Sequence, residues 1–408
     1  MTLSQLQAQY EQAKAQGLSL DMSRGKPGAE QLDLSNALLD NKWLAPPTTE
    51  KKFDCRNYGV LDGIPEAKRL FAELFAVPPE QIIVCGNASL TLMYDYLAQC
   101  MLFGTGGAAP WVKQGGVKFL CPVPGYDRHF GILEHLGIEM VNIPMLEDGP
   151  DMALVAEHVK DPGVKGLICV PKYSNPEGKT FSDTTVRAFA ALKPAASDFR
   201  VIWDNAYLVH NLYEQDDELL NIFEAAKAHG TQDHFIEVAS FSKISFPGAA
   251  VAAIAASPGN IKEILARMNV QTIGHDKLNQ LRHVRYFKNL DNIKAHMQRH
   301  AAILRPRFEA VLNILARDLT GIASWAAPRG GYFISLDLPE GCAKRTAQLL
   351  KEAGVTLTPA GATFPHGHDP QDRNLRIAPT FPPIDELVQA TELLTICARI
   401  AMLEKNER

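Results

Sequence analysis

The side chains in this chain that could do chemistry recur at one kind of place, just past short apolar runs rich in β-branched residues. Lys243 stands in Ser240-Phe241-Ser242-Lys243, directly after the run 235–239 (Phe-Ile-Glu-Val-Ala). A primary amine at a strand end condenses with an aldehyde to an imine once burial favours its neutral form. Asp204 ends the run Val201-Ile202-Trp203 and can pair with a protonated heterocyclic nitrogen; Tyr207 reaches the same place if a helical turn begins there. Asn175 follows the run 164–170 in the turn Ser174-Asn175-Pro176-Glu177-Gly178. Tyr126, after Pro122-Val123-Pro124-Gly125, offers a flat face for stacking. Gly86-Asn87-Ala88-Ser89 separates the run 81–85 from a helical pattern over 90–103, and free amides at a helix start bind phosphate.

Each of these has a plainer explanation alone. Most lysines are solvated, a strand-end carboxylate often caps a turn, Asn-Pro is ordinary turn chemistry, and Ser89 suits an N-cap. Together they place an amide nest, an aromatic plane, an amide side chain, a carboxylate, a phenol and a lysine at five strand ends. Pyridoxal phosphate needs that set: a phosphate anchor, a stacking face, an acid partner for the ring nitrogen and an imine lysine.

The elements that must position these residues follow from periodicity. Seven strand-like runs (81–85, 117–121, 138–143, 164–170, 199–203, 235–239, 251–256) are separated mostly by helical patterns at 90–103, 127–136, 152–159, 183–192 and 218–229. Pro65 opens a further helix over 66–76. This alternation predicts an α/β fold whose large domain holds a mostly parallel, seven-stranded sheet covered by helices. After Ser257 the pattern turns helical, with a long connecting helix near 290–316, then short strands and a closing helix over 384–402. These form a smaller α+β domain. Boundaries are expected at 1–45 for an N-terminal arm and loop, 46–288 for the large domain and 289–408 for the small one. Leu3, Leu6, Tyr10 and Ala13 mark the arm as amphipathic and outside the core. The stretch Asp21 to Gly28 is a glycine- and proline-rich loop.

Composition narrows the function classes. Over 408 residues, 46% are hydrophobic, 21% charged and the net charge is −5, which argues against a nucleic-acid partner. The seven cysteines are scattered and never paired as C-x-x-C, the polar start is no signal peptide, and no apolar run is long enough for a membrane span. A reduced, cytoplasmic protein is expected. Two motif matches fail on context: Gly104-Thr105-Gly106-Gly107-Ala108-Ala109 follows a helix rather than a strand, and Gly178-Lys179-Thr180 has Tyr173 where a P-loop has its first glycine. His366 and His368 lack a third metal ligand, so no metal is expected.

With these motifs in order, the chain resembles the fold-type I pyridoxal-phosphate enzymes, the class I/II aminotransferases of the aspartate aminotransferase superfamily. The resemblance runs through Gly25-Lys26-Pro27, Tyr58 with Gly63, Gly86 to Ser89, Pro124-Gly125-Tyr126, Asn175 to Gly178, Asp204-x-x-Tyr207, Ser240-x-Ser242-Lys243 and Arg376. The stretches 23–27, 274–283 and 376–379 are most similar to its subgroup Ic, also catalogued as MocR-like.

The resemblance implies an imine lysine at Lys243, which then shuttles the proton at the substrate carbon, and a ring-nitrogen partner at Asp204. It implies hydrogen bonds from Asn175 and Tyr207 to the phenolic oxygen, and stacking by Tyr126. Asn87, Ala88, Ser89, Ser240 and Ser242 would hold the phosphate. Tyr58 would reach the neighbouring subunit's phosphate, making a homodimer with shared sites. Arg376 would clamp the substrate carboxylate under the Gly25 loop. The implied reaction is ping-pong amino transfer between an amino acid, aspartate by subgroup, and a 2-oxo acid, with 2-oxoglutarate as acceptor. A second cation for a dicarboxylate would come from Arg24, Lys26, Arg128, His275, Lys277, Arg282 or Arg329. A C–S lyase or decarboxylase on the same fold is the alternative. An effector-sensing half of a regulator is disfavoured, since only about twenty residues precede Ser23, too few for a helix-turn-helix. One departure stands out: the family's G-x-R after the lysine reads Gly248-Ala249-Ala250, so the arginine that neutralises the phosphate is replaced by Ala250.

Overall fold

A computed structural model describes residues 1–407. Its strands in chain order are β1 (Leu20–Asp21), β2 (Ile82–Val84), β3 (Lys118–Val123), β4 (Glu139–Leu146), β5 (Gly149–Pro150), β6 (Val164–Cys169) and β7 (Arg200–Asp204). They continue as β8 (Phe235–Ser240), β9 (Ala252–Ala256), β10 (Ser324–Trp325), β11 (Ile334–Asp337), β12 (Val355–Thr356) and β13 (Asn374–Ile377).

The main sheet has the order β2-β9-β8-β7-β6-β3-β4-β5. The pairs β3–β4, β3–β6, β6–β7 and β7–β8 are parallel. Strand β9 runs antiparallel to both β8 and β2, because the connection 241–251 contains no α-helix to carry the chain back across the sheet. Strands β6, β7, β8 and β9 are buried at every position, as expected of a sheet covered on both faces. The expected seven strands are all present. The eighth, β5, is a two-residue return that pairs Met145 with Pro150 and Leu146 with Gly149. Two residues are too short for any periodicity to reveal.

Two apolar layers cover this sheet. One lies around Phe71, Phe189, Trp203 and Phe241, the other around Met93, Leu97, Phe119 and Ile254. A third layer fills the space between the antiparallel sheet β10-β11-β13 and the helices Leu290–Leu319, Ala343–Glu352 and Ile384–Asn406.

The N-terminal helix Leu3–Lys14 corrects the expectation of an arm outside the core. Leu6 is fully buried, Tyr10 is 4% exposed, and the Tyr10 hydroxyl donates to Leu349 O at 3.0 Å. The helix packs along Ile384–Asn406, and β1 pairs in parallel with β12 just after it. A short amphipathic stripe shows that a helix has an apolar face but not what that face meets. Among the described residues no helix is long and apolar enough to cross a membrane.

Candidate active site

Strands β2, β3, β6, β7 and β8 all end at the same edge of the sheet, and β9 begins there. The crevice of an open α/β sheet lies at this edge. One cavity there is lined by Gly25, Ser89, Tyr126, Asn175, Asp204, Tyr207 and Lys243. Residues from both ends of the chain therefore meet at one place.

Lys243 ends a short 3-10 turn, Phe241–Lys243, that follows β8. Ser240 Oγ caps the turn by accepting from Ser242 N at 3.1 Å, while the buried Phe241 and Ile244 pin its flanks. The Lys243 amine lies 4.8 Å from the centroid of the Tyr207 ring. Desolvation lowers its pKa below the ordinary 10.5, with the Asp204 carboxylate pulling the other way. The neutral, nucleophilic amine is therefore more accessible than on a surface lysine. Tyr207 itself lies in a turn over 206–209, and burial holds its phenol protonated, well above the ordinary range.

Asp204 is 2% exposed. Its Oδ2 sits 2.9 Å from Nε2 of the equally buried His129, and its Oδ1 has no partner. A buried carboxylate oxygen without a donor costs about 1–3 kcal/mol or more, so this atom calls for a donor from the cavity. A protonated ring nitrogen is such a donor. With the free Lys243 amine in the same cavity, this donor set fits pyridoxal phosphate.

His129 is the residue that sequence reasoning missed. It lies three residues after Tyr126, in the first turn of the helix Asp127–His135, and that spacing was the signal that could have found it. The Tyr126 and His129 rings meet edge to face at 4.9 Å, and burial pushes the Tyr126 phenol up to about 12.

At the phosphate end, the helix Ser89–Phe103 starts without a side-chain cap. The capping position is Ala88, and Ser89 is the first helical residue, so the N-cap explanation for Ser89 fails and first-turn amides stay free. Ser240 Oγ donates to Asn87 O at 2.6 Å, Ser242 Oγ to Ser240 Oγ at 2.9 Å, and Asn87 Nδ2 to Pro247 O at 3.1 Å. The loop before this helix and the connection after β8 are thus laced together around this point.

Arg376, on β13, is 6% exposed. Its Nη1 donates to Asn175 Oδ1 at 3.2 Å and to Asp127 Oδ1 at 2.7 Å, and its Nη2 to Thr358 Oγ1 at 3.3 Å. Phe333 stacks 4.7 Å from the guanidinium and also closes on Gly25. A Cβ at Gly25 would lie 2.3 Å from Phe333 Cζ, so only glycine allows this approach. Tyr58 is not brought to this cavity; it is 77% exposed on the surface. None of the seven cation candidates lines the cavity either. Arg329 pairs with Asp217 at 3.3 Å, and Lys26 lies over the Phe381 ring at 3.9 Å.

Next to Asp204 in the chain, Asn205 Nδ2 donates to Glu237 Oε1 at 2.7 Å, and burial pushes the Glu237 carboxyl up to about 8. The fold favours its neutral form, so its stabilising contribution is complete below the ordinary 4.5 and is lost as pH rises through about 8. Glu237→Gln keeps the shape and removes the titration. Its stability relative to the parent should rise between pH 5 and 9, by on the order of a few kcal/mol in denaturant titrations. A difference that stays constant with pH would contradict the assignment.

Comparison with known proteins bears on the whole chain. A family model described as aspartate amino-transferase matches residues 1–408. An aspartate aminotransferase of Corynebacterium glutamicum is 43% identical over 402 residues, covering 98% of this chain and 93% of its own. A crystal structure of an aspartate transaminase from Corynebacterium glutamicum superposes with a TM-score of 0.95 at 42% identity, covering 99% of this chain and 96% of that one. The fold alone is shared with the α-aminoadipate aminotransferase LysN of Thermus thermophilus, solved with N-(5′-phosphopyridoxyl)-L-leucine (TM-score 0.77, 20% identity, 95% of each chain). Full-length agreement in family, sequence and fold means that the chain belongs to the aspartate aminotransferase family, as a fold-type I, pyridoxal-phosphate-dependent transaminase.

Proposed function

We propose that the chain moves the amino group of aspartate to 2-oxoglutarate in two alternating half-reactions, with Lys243 as the group that handles the proton. The observation that carries this reading is the buried cavity in which the Lys243 amine and the unpartnered Asp204 Oδ1 lie together. The name of the Corynebacterium glutamicum relative supports aspartate as donor. When bound, pyridoxal phosphate supplies the electron sink that makes the substrate's Cα–H acidic. Lys243 would hold the cofactor through its amine and, once free, would take and return the proton at the substrate's Cα. Asp204 Oδ1 would accept from the protonated ring nitrogen, with His129 fixing the carboxylate through Oδ2. Asn175 and Tyr207 would bond the phenolic oxygen, and Tyr126 would stack on the ring. Ser89, Ser240, Ser242 and the amides near Asn87 and Ala88 hold the phosphate.

Arg376 takes the substrate's α-carboxylate in its fork, for which Asp127 is a competing internal carboxylate. The segment around Gly25 closes against Phe333 and excludes water. The exposure of Tyr58 supports a role outside its own subunit, in a cytoplasmic homodimer with shared sites. We assign residues 1–45 and 289–408 to the small domain and 46–288 to the large one.

Adding amino acids singly to the cofactor-loaded protein and following the bound cofactor's absorbance tests the reaction. Transfer from aspartate leaves the amine form of the cofactor and oxaloacetate. Release of carbon dioxide or sulfide instead would favour a decarboxylase or C–S lyase. Arg376→Ala should lower kcat/KM for aspartate by about 10²- to 10³-fold while leaving cofactor affinity within about twofold. Equal loss of both would show that its role is misassigned.

A further inference from the structure

The space beside Ala250 is reached by a cation from a different element. A hollow of about 440 Å³ lies between the segment 85–87, the turn 248–251 and the helix Lys277–Phe287, and Arg282 lines it together with Asn87, Gly248 and Ala250. A Cβ built on Gly86 or Gly248 would meet nothing within 4 Å, so both sides of the hollow are open.

The helix is clamped to the turn. Asn279 Nδ2 donates to the carbonyls of Ala249 and Ala250, at 2.9 Å each, and His283 Nε2 lies 2.9 Å from Ser245 Oγ. Arg282 comes three residues after Asn279, one turn along on the same helical face, which carries it towards Ala250. On the far side, Asn87 joins the hollow to the phosphate cradle through its bonds to Pro247 O and from Ser240 Oγ.

Arg282 is also chemically available. Among the described residues it makes no hydrogen bond or ion pair, and its Nε is buried without a partner. Asp276, the acidic neighbour in the hollow, is engaged as the N-cap of the helix, accepting from Asn279 N at 3.0 Å. Among the described residues lining the cavity and the hollow, Arg282 and Lys243 are the only arginine or lysine. Lys243 is committed to the aldehyde. A phosphate monoester brings nearly two negative charges, the helix start at Ser89 offers about half a positive one, and the serine hydroxyls are neutral. A full cation is still required.

We propose that Arg282 supplies the cation that balances the cofactor's phosphate, entering from the helix Lys277–Phe287 into the space that Ala250 leaves. The planar fork of a guanidinium matches phosphate oxygens. The proposal rests on the pyridoxal phosphate reading of the Lys243 cavity.

The test is to titrate cofactor-free protein with pyridoxal phosphate and, separately, with pyridoxal, following ring absorbance. Arg282→Gln should weaken pyridoxal phosphate by about tenfold or more and leave pyridoxal within about twofold, because only the former carries the anion. Arg282→Lys should recover part of the loss. Inorganic phosphate should raise the melting temperature of the cofactor-free parent and not that of Arg282→Gln. Unchanged pyridoxal phosphate affinity in Arg282→Gln overturns the proposal, as does a variant whose only defect is a higher KM for dicarboxylic substrates. A parent protein that binds neither compound would instead overturn the underlying reading of the cavity. Pyridoxal binding by the variant shows that its site is folded.

Discussion

Replacing Lys243 with alanine should lower steady transamination by at least about 10⁴-fold, the upper range for loss of one positioned acid–base group. Two functions are lost with one amine. The covalent hold on the cofactor goes, and so does the base that takes the proton from the substrate carbon and returns it. The two phenols lining the cavity cannot substitute. Tyr207, whose ring the amine overlies at 4.8 Å, has a phenol held far above its ordinary range by burial, and Tyr126 is pushed up to about 12. Neither is a competent base near neutral pH. Stopped-flow absorbance would separate the two losses, since cofactor retained by the phosphate cradle could still bind substrate while proton transfer stalls. A small primary amine added to the variant should restore part of the rate. Turnover that survives at parental levels would remove Lys243 from the mechanism.

Asp204→Asn should cost about 10²- to 10³-fold in the rate of each half-reaction, on the scale set by removing one preorganised polar group from a buried site. The substitution preserves size, and the amide oxygen can still face Nε2 of His129. It removes the negative charge that favours a protonated ring nitrogen, at a place where burial magnifies the effect. The affected quantity is kcat, with aspartate KM changed little, because the substrate carboxylate is handled by Arg376. A loss below about tenfold would mean that Asp204 Oδ1 does not face the ring nitrogen. His129→Phe, which removes the orienting contact at 2.9 Å and leaves the charge, should show a smaller loss of the same kind.

Much of this site was legible before any coordinates. Lys243, Asp204, Asn175 and Tyr126 each follow an apolar run with strand character, and the runs end at one edge of the sheet. The failures have local causes as well. Ser89 resembled an N-cap, but capping depends on the backbone dihedrals of one residue, and here Ala88 occupies that position. The N-terminal helix showed its apolar stripe but gave no sign that Ile384–Asn406, at the other end of the chain, would bury it.

The sequence by itself determined the elements, their alternation, and which chemical groups stand at strand ends. Those features depend on side-chain periodicity and turn chemistry, which act over a few neighbouring residues. Only the tertiary structure decided which groups meet. His129 reaches Asp204 across 75 residues, and Arg376 reaches Asn175 across 201. In the sequence Arg282 is one of seven undifferentiated cations, and only the packing of the helix Lys277–Phe287 on the turn 248–251 puts it beside Ala250. Such pairings follow from strand order and from the packing of helices on sheet faces, and no local pattern encodes them.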